Sequence, residues 1–271
     1  MLIFVLPFSL YVSGQDVANL DPTRSRDLLF GAAYWRRILI VYKKVTEEQK
    51  NPVLSADSSG KSLFSVAYQI IKRRILDLTY PPGEPLSEAS LAKELQMSRM
   101  PIRMAVKQLV SEGWIEADFR KKIKVRQITA EDVNEIYQIR RIIEKNGLQK
   151  IFDDERTWEA SYWLEEIVVR VKAAQNDLFE WECQDTQFHA EIVRALDNRR
   201  IDRFYQANRE ELIRIGMMSE KTANHVTQTI AGMYRFVQAV REKSFFEAWD
   251  ILRKEHLEAG LEMALRKVTR A

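Results

Sequence analysis

The sequence predicts a mostly α-helical protein, with a winged helix-turn-helix followed by an all-α helical bundle. Three observations predict this fold class. Apolar residues recur at helical spacing through most of the chain after Leu63, and short Pro- and Gly-containing turns separate the first of these segments. One short stretch alternates instead, as strands do. A chain of 271 residues with 46% hydrophobic content can supply two modest cores.

Charge is unevenly distributed along the chain. Residues 61–127 carry 13 Lys and Arg against 7 Asp and Glu, although the whole chain has a net charge of only +3. A basic segment followed by an acidic one indicates a part that binds a polyanion and a part that binds something else. The single cysteine, Cys183, excludes an intrachain disulfide and a Cys-based zinc finger, and it is compatible with a reducing cytoplasm.

Residues 1–60 are predicted to be a poorly ordered extension and linker outside the folded core. Their opening run, MLIFVLPFSLYVSG, is shorter than the ~20 apolar residues that a membrane span needs. Arg36 and Arg37 interrupt the next apolar stretch. We therefore expect no stable membrane association, and a membrane-tethered sensor remains an alternative that rests on residues 1–44 alone.

Residues 61–128 are predicted to form the winged helix-turn-helix. An amphipathic helix ends at the turn TYPPGEPL, and Ser87 is placed to cap the short helix EASLAKEL. Ser98 is placed to cap a third helix, with Pro101 in its first turn and Gly113 just beyond its end. Two short helices joined by a tight connection are typical of a helix-turn-helix, whose second helix enters the major groove of DNA.

A β-hairpin wing is predicted directly after this helix. Strands at Trp114–Ala117 and Ile123–Gln127 flank a basic tip. The tip residues Arg120, Lys121 and Lys122 are predicted to reach DNA phosphates or the minor groove.

This segment resembles the winged helix-turn-helix of GntR-type transcription regulators. The resemblance rests on YPPGEPLSEASLAKEL, on MSRMPIRMAVKQLVSEGWI and on the basic wing. It implies DNA contacts from Ser98, Arg99 and Arg103. Met100 stands where a threonine that helps to contact DNA is common, so the resemblance implies DNA binding but does not define the sequence preference of this chain.

Residues 129–271 are predicted to form the helical bundle. Thr129 and Asp132 suit a capping box at its start. Further helices are expected at about 155–174, 177–197, 199–217, 219–242 and 245–268. A winged head followed by such a bundle resembles the FCD class of the same family, the FadR-like subfamily. That resemblance implies effector binding and dimerisation by the bundle, with a small carboxylate or sugar acid as the effector.

The bundle also contains candidate metal ligands. Asp185 and His189 lie four residues apart, on one face of a predicted helix. The resemblance implies that this pair and His256 hold one divalent ion, zinc or similar. Counting back from His256 by the family spacing reaches Tyr234 where a further histidine is usual. The alternative is a metal-free pocket in which these side chains hydrogen-bond one another or the effector.

The resemblance implies that Arg140, which matches an arginine common on the first helix of the family's bundle, completes the effector site. A guanidinium at this position could bind a carboxylate effector in a bidentate manner, or it could form an ion pair with Glu144 one turn later. The sequence thus favours a cytoplasmic, homodimeric transcription regulator that binds palindromic operator DNA and is not an enzyme. The rival hypothesis is a metal-dependent enzyme that uses Asp185, His189 and His256.

Overall fold

The structure, a computed structural model, describes residues 62–118, 122–219 and 221–269. The predicted extension at residues 1–60 lies outside these ranges. In chain order the described elements are α1 (Leu63–Leu76), β1 (Pro85–Leu86), α2 (Glu88–Glu94), α3 (Arg99–Ser111), β2 (Ile115–Ala117), β3 (Ile123–Val125), α4 (Ala130–Asp153), α5 (Thr157–Ala173), α6 (Leu178–Arg194), α7 (Arg199–Met218), α8 (Ala223–Arg241), α9 (Phe245–Ile251), a π-helical segment (Leu252–Glu258) and α10 (Ala259–Val268).

The N-terminal head is built from α1, α2, α3 and a small sheet. The apolar faces of the three helices meet in one core, in which Ile71, Ile102 and Leu109 are fully buried. Val125 of β3 is buried against the same core, which fixes the wing to the helices. The mostly α fold with a small β wing, predicted from the sequence, is therefore confirmed.

The wing has three strands rather than the two that were predicted. The antiparallel order is β1-β3-β2, with Leu86 opposite Ile123 and Ile115 opposite Val125. The two hairpin strands in the structure are shorter than predicted, β2 by one residue and β3 by two. The third strand was missed because PPGEPL has the composition of a turn. Gly83, at φ +82°, donates its N–H to the carbonyl of Val125 and brings that segment beside the wing.

Helix starts follow the cap residues that the sequence offers. The Ser87 hydroxyl accepts from the amide of Ser90. The hydroxyl of Thr129 accepts from the amide of Asp132, whose carboxylate accepts in return, which closes the predicted capping box. The expected cap by the Ser98 side chain is not formed at the start of α3, so this hydroxyl remains available to another partner.

The body is an all-α bundle in which α5 packs along α8 and α6 packs along α7. Its main core contains Leu164, Phe188 and Phe236. Helices α4 and α6 approach so closely at Gly147 that an added Cβ would lie 2.2 Å from the carbonyl oxygen of Ile192. Only glycine allows this approach, which brings the polar residues of α4 within reach of those on α6.

The last predicted helix, 245–268, is interrupted by the π-helical segment Leu252–Glu258. A π turn carries one extra residue and is often found at functional sites. It contains His256, whose ring is buried between the helices. Among the described residues, no helix combines the length and the apolar character that a membrane crossing requires.

The head and the body meet along α1 and α7. Lys72 of α1 forms an ion pair with Glu210 of α7, with 2.7 Å between Nζ and Oε2. Leu76 packs with Ile213 and with Phe179 of α6. The residues from Ser62 onwards form one compact unit, in which the helices of the body directly support the first helix of the head.

Candidate functional site

The first turn of α3 presents polar and basic residues to solvent. Ser98, Arg99, Met100 and Arg103 are all exposed, with Met100 at 61%. Arg103 forms an ion pair with Glu88 across 3.0 Å. An exposed helix end of this kind, beside a wing, has the geometry that major-groove recognition needs. Of the wing-tip candidates, Lys122 is exposed, whereas Arg120 and Lys121 lie outside the described residues.

The body encloses a small cavity of about 50 Å³ between α4, α6, α7, α8 and the π segment. Arg140, Asp185, His189 and His256 all line it. A volume of this size holds a few water molecules, or a metal ion with one small ligand group. The fold thus brings together four of the five side chains that the sequence indicated for the effector site.

Glu144 of α4, fully buried, organises one wall of this cavity. Its Oε1 accepts from Arg140 Nε at 2.8 Å and from the Tyr205 hydroxyl at 2.8 Å, and its Oε2 lies 2.6 Å from His189 Nδ1. Burial alone would raise the pKa of this carboxyl, but Arg140 and His189 outweigh it and lower the pKa of Glu144 to about 2. A carboxylate that is charged at neutral pH therefore lies directly behind His189.

That carboxylate sets the tautomer of His189. A carboxylate only accepts, so it favours a proton on Nδ1 and directs Nε2 away from itself. His189 Nε2 lies 4.0 Å from Asp185 Oδ2. A carboxylate behind an imidazole whose other nitrogen is free is the usual support for a metal-ligating histidine.

His256 contributes the third group. Its Nε2 is buried and has no hydrogen-bond partner in the part of the chain that the structure describes. Burial, with smaller contributions from His189 and Arg140, lowers the pKa of His256 to about 3, so the ring is neutral at pH 7. Each of Asp185, His189 and His256 offers one ligand atom, and these atoms all lie within 4.8 Å of one another. One carboxylate and two imidazoles form a donor set that suits zinc or a similar ion.

Tyr234 is not brought to this cavity. It lies partly buried against the main core of the body. The cavity face of α8 carries His225 and Thr229 instead, and one turn further on Gly232 comes so close that an added Cβ would lie 3.4 Å from His256 Nε2. Spacings of four and three residues place these three positions on one helix face.

Arg140 adopts the ion pair with Glu144 that the sequence left as an alternative. It also lines the cavity, so the ion pair does not remove it from the site. The sequence did not indicate that Glu144 would also bind His189 and Tyr205. A second pair at the cavity wall was likewise missed: Lys221 donates to the buried carboxylate of Glu182, and burial raises the pKa of Glu182 to about 7.

Comparison with known proteins defines the family. Residues 63–125 match the model described as bacterial regulatory proteins, gntR family, and residues 135–259 match the FCD domain. The chain is 31% identical over 199 residues to the gluconate operon transcriptional repressor of Bacillus subtilis, covering 70% of this chain and 79% of that protein. The chain belongs to the gntR family. It is a DNA-binding transcription regulator with a C-terminal FCD domain, and not an enzyme.

Other relatives agree with this assignment. The regulator is 29% identical over 180 residues to the HTH-type transcriptional regulator YdhC of Bacillus subtilis, covering 65% of this chain and 80% of the relative. A solved structure of a transcriptional regulator GntR from Rhodococcus sp. RHA1 has a TM-score of 0.59 at 23% identity, covering 76% of this chain and 99% of that one. This structural likeness shows a shared fold.

Proposed function

We propose that this regulator represses transcription by binding operator DNA as a cytoplasmic homodimer, and that a small carboxylate bound with one divalent metal controls this binding. The observation that carries the proposal is the convergence of Asp185, His189 and His256 on one point, where His256 Nε2 has no hydrogen-bond partner among the described residues. A buried polar atom without a partner is costly, and a metal ion removes that cost.

Asp185, His189 and His256 would hold the metal. They leave at least one position of a tetrahedral ion open, as in metal sites that bind an exchangeable ligand. When bound, the metal supplies a positive charge that attracts a carboxylate. Arg140 lines the same cavity and adds a second positive charge to it. The two positive groups support an anionic effector over a neutral one.

DNA binding in this proposal uses Ser98, Arg99, Met100 and Arg103 at the start of α3, together with the wing tip at Arg120, Lys121 and Lys122. The exposure of the described members supports this role. Repression is proposed because two curated relatives, for the gluconate operon and for D-xylose utilisation, are named as repressors.

A homodimer is supported by an apolar stripe on α5. Trp158, Tyr162 and Val169 are 73%, 55% and 55% exposed. Spacings of four and seven residues align these side chains along one face of the helix. Exposed apolar side chains that share one helix face often mark an interface, and a two-fold dimer would bury these three against their own copies.

The metal proposal is tested by elemental analysis of protein purified without chelators. We expect about one equivalent of divalent metal per chain in the wild type and none in His189→Ala or Asp185→Asn. His225→Ala is the matched control, because His225 lines the same cavity but lies outside the three-residue cluster. Absence of metal from the wild type, or an equal loss in His225→Ala, would overturn the metal site.

The effector proposal is tested by thermal shift with acetate, citrate and gluconate, compared with uncharged glucose. We expect at least one of the acids to raise the melting temperature of the metal-loaded protein, and to do so much less in Arg140→Met. The same acid should weaken binding to double-stranded operator DNA in a mobility-shift assay. Stabilisation by glucose alone, or no effect of any acid on DNA binding, would contradict the proposal.

A further inference from the structure

A second, larger cleft lies between the head and the body. It has a volume of about 430 Å³ and is bounded by α1, α6 and α7. Pockets that hold organic ligands usually enclose roughly 300–1,000 Å³, so this cleft has a suitable size. Its walls come from both the DNA-binding head and the bundle.

The cleft combines an apolar wall with basic groups. Leu76, Phe179 and Ile213 supply the apolar wall, and Lys72, Arg73 and Arg209 supply the positive charge. The guanidinium of Arg73 stacks on the Phe179 ring, with 3.3 Å between Cζ and the ring centroid. This stacking extends a flat, weakly hydrated surface along one side.

The three cations differ in how well they are neutralised. Lys72 binds Glu210, and Arg73 binds Asp77. Arg209, by contrast, has no ion pair with any carboxylate in the part of the chain that the structure describes. It donates only to the hydroxyl of Thr186 and to the carbonyl of Cys183.

A half-buried guanidinium without a counter-ion is unfavourable, and burial lowers the pKa of Arg209. Arg209 donates from Nε and one Nη2 hydrogen, which leaves three of the five guanidinium N–H groups free. The site is therefore short of one negative charge and several acceptors. A carboxylate or phosphate supplies both.

We propose that this cleft binds a small organic anion, whose acidic group pairs with Arg209 and whose apolar body lies against Leu76, Phe179 and Ile213. The site is separate from the cavity that holds Asp185, His189 and His256. Its ligand touches α1 of the head and α7 of the body together, and so stabilises the arrangement of the two that the structure shows.

Cys183 makes this proposal directly measurable. It lines the cleft and is the only cysteine in the chain. Burial raises the pKa of its thiol to about 11, so its reaction with Ellman's reagent at pH 8 is slow enough to follow. A ligand in the cleft should slow this reaction further by covering the thiol.

The probes are 4-phenylbutyrate and its uncharged analogue 4-phenylbutanol, tested on the full chain. We expect the acid to protect Cys183 at concentrations at least roughly tenfold lower than the alcohol, since the acid adds charge-assisted hydrogen bonds. Arg209→Met should abolish this preference, and Arg209→Lys should restore part of it. Arg203→Met, an exposed arginine on the same helix, should behave as the wild type.

Other results would overturn the proposal. They are equal protection by the acid and the alcohol, an undiminished preference for the acid in Arg209→Met, or an equal loss of preference in Arg203→Met. Asp185→Asn should keep the acid preference, because the cleft does not use the metal ligands. Loss of the preference in that variant would show that the acid acts through the other cavity instead.

Discussion

Replacing Glu144 with Gln tests the buried network behind His189. The substitution keeps the shape of the side chain but removes the negative charge that Arg140 and His189 both face. Removing one partner of a buried ion pair typically costs about 3–5 kcal/mol, because the other charge is left uncompensated. The fall in the pKa of Glu144 from 4.5 to about 2 independently corresponds to roughly 3 kcal/mol.

We therefore expect Glu144→Gln to lower the free energy of unfolding by about 3–5 kcal/mol at pH 7. The measurement is urea-induced unfolding followed by circular dichroism, with a chelator present so that metal binding does not contribute. Glu135→Gln, an exposed residue of the same helix, is the matched control and should change stability by less than about 0.5 kcal/mol.

The pH dependence of the free energy of unfolding is a second test of the contacts around Glu144. The folded-state pKa of Glu144 lies below its ordinary value of 4.5, so its stabilising contribution is present above that pH. The contribution is lost as the pH falls towards 2. The difference between wild type and Glu144→Gln should then stay constant from pH 7 to 5 and shrink below that. A difference under about 1 kcal/mol at pH 7, or one that grows in acid, would refute the reasoning.

Three further substitutions test other parts of the molecule. Arg99→Ala should weaken operator binding by about 1–3 kcal/mol in a mobility-shift assay, because the exposed first turn of α3 loses a cation, while the exposed Arg170→Ala on α5 should not. If the proposed homodimer uses the apolar stripe, Trp158→Glu should shift it towards monomer in sedimentation velocity, since the variant buries a charge there. Phe246→Glu, off that stripe, should behave as the wild type. Gly147→Ala should lower the thermal midpoint, at a cost of about 1–3 kcal/mol, because the added methyl would lie 2.2 Å from the Ile192 carbonyl oxygen. An unchanged operator affinity, sedimentation profile or thermal midpoint would contradict the role proposed for Arg99, Trp158 or Gly147, respectively.

The parts of the fold that the sequence predicted depend on interactions between near neighbours. The cap at Ser87 and the box between Thr129 and Asp132 each involve residues three apart. Such signals can be recognised without knowing the tertiary structure. The pairing of Asp185 with His189 is local in the same sense, whereas His256 was placed beside them by the family resemblance.

Glu144 could not be assigned its full role from the sequence. Its contact with His189 joins residues 45 apart, and its contact with Tyr205 joins residues 61 apart. The four-residue spacing between Arg140 and Glu144 predicted only the ion pair between these two residues. The short strand at Pro85 and the π segment around His256 are similar cases, since each depends on what packs beside it rather than on its own composition.

Tyr234 shows how a count along the chain can miss a helix face. The count assumed that the family spacing to His256 would reach the cavity. Tyr234 lies two residues beyond Gly232, which turns its side chain by about 200° around the helix axis. It therefore points to the main core, and the cavity receives the face that bears His225 and Thr229.

Helix α7 contributes residues to the cavity, to the cleft and to the junction between the head and the body. Tyr205 holds Glu144 behind His189, Arg209 enters the cleft, and Glu210 binds Lys72 of the head. Glu211 and Arg214 both bind Arg126, just after the last strand of the wing. These contacts come from ten consecutive residues, so a length of about 14 Å of this one helix connects the bundle to the head.

Thermodynamic linkage makes any coupling between ligand binding in the bundle and DNA binding by the head reciprocal. If effector binding in the bundle lowers the affinity of the head for its operator by some factor, operator binding must lower the affinity of the bundle for the effector by the same factor. Adding operator DNA to the metal-loaded, effector-bound regulator should therefore release effector into solution. Promoter-bound and free copies of one chain would then sense the same metabolite with different thresholds.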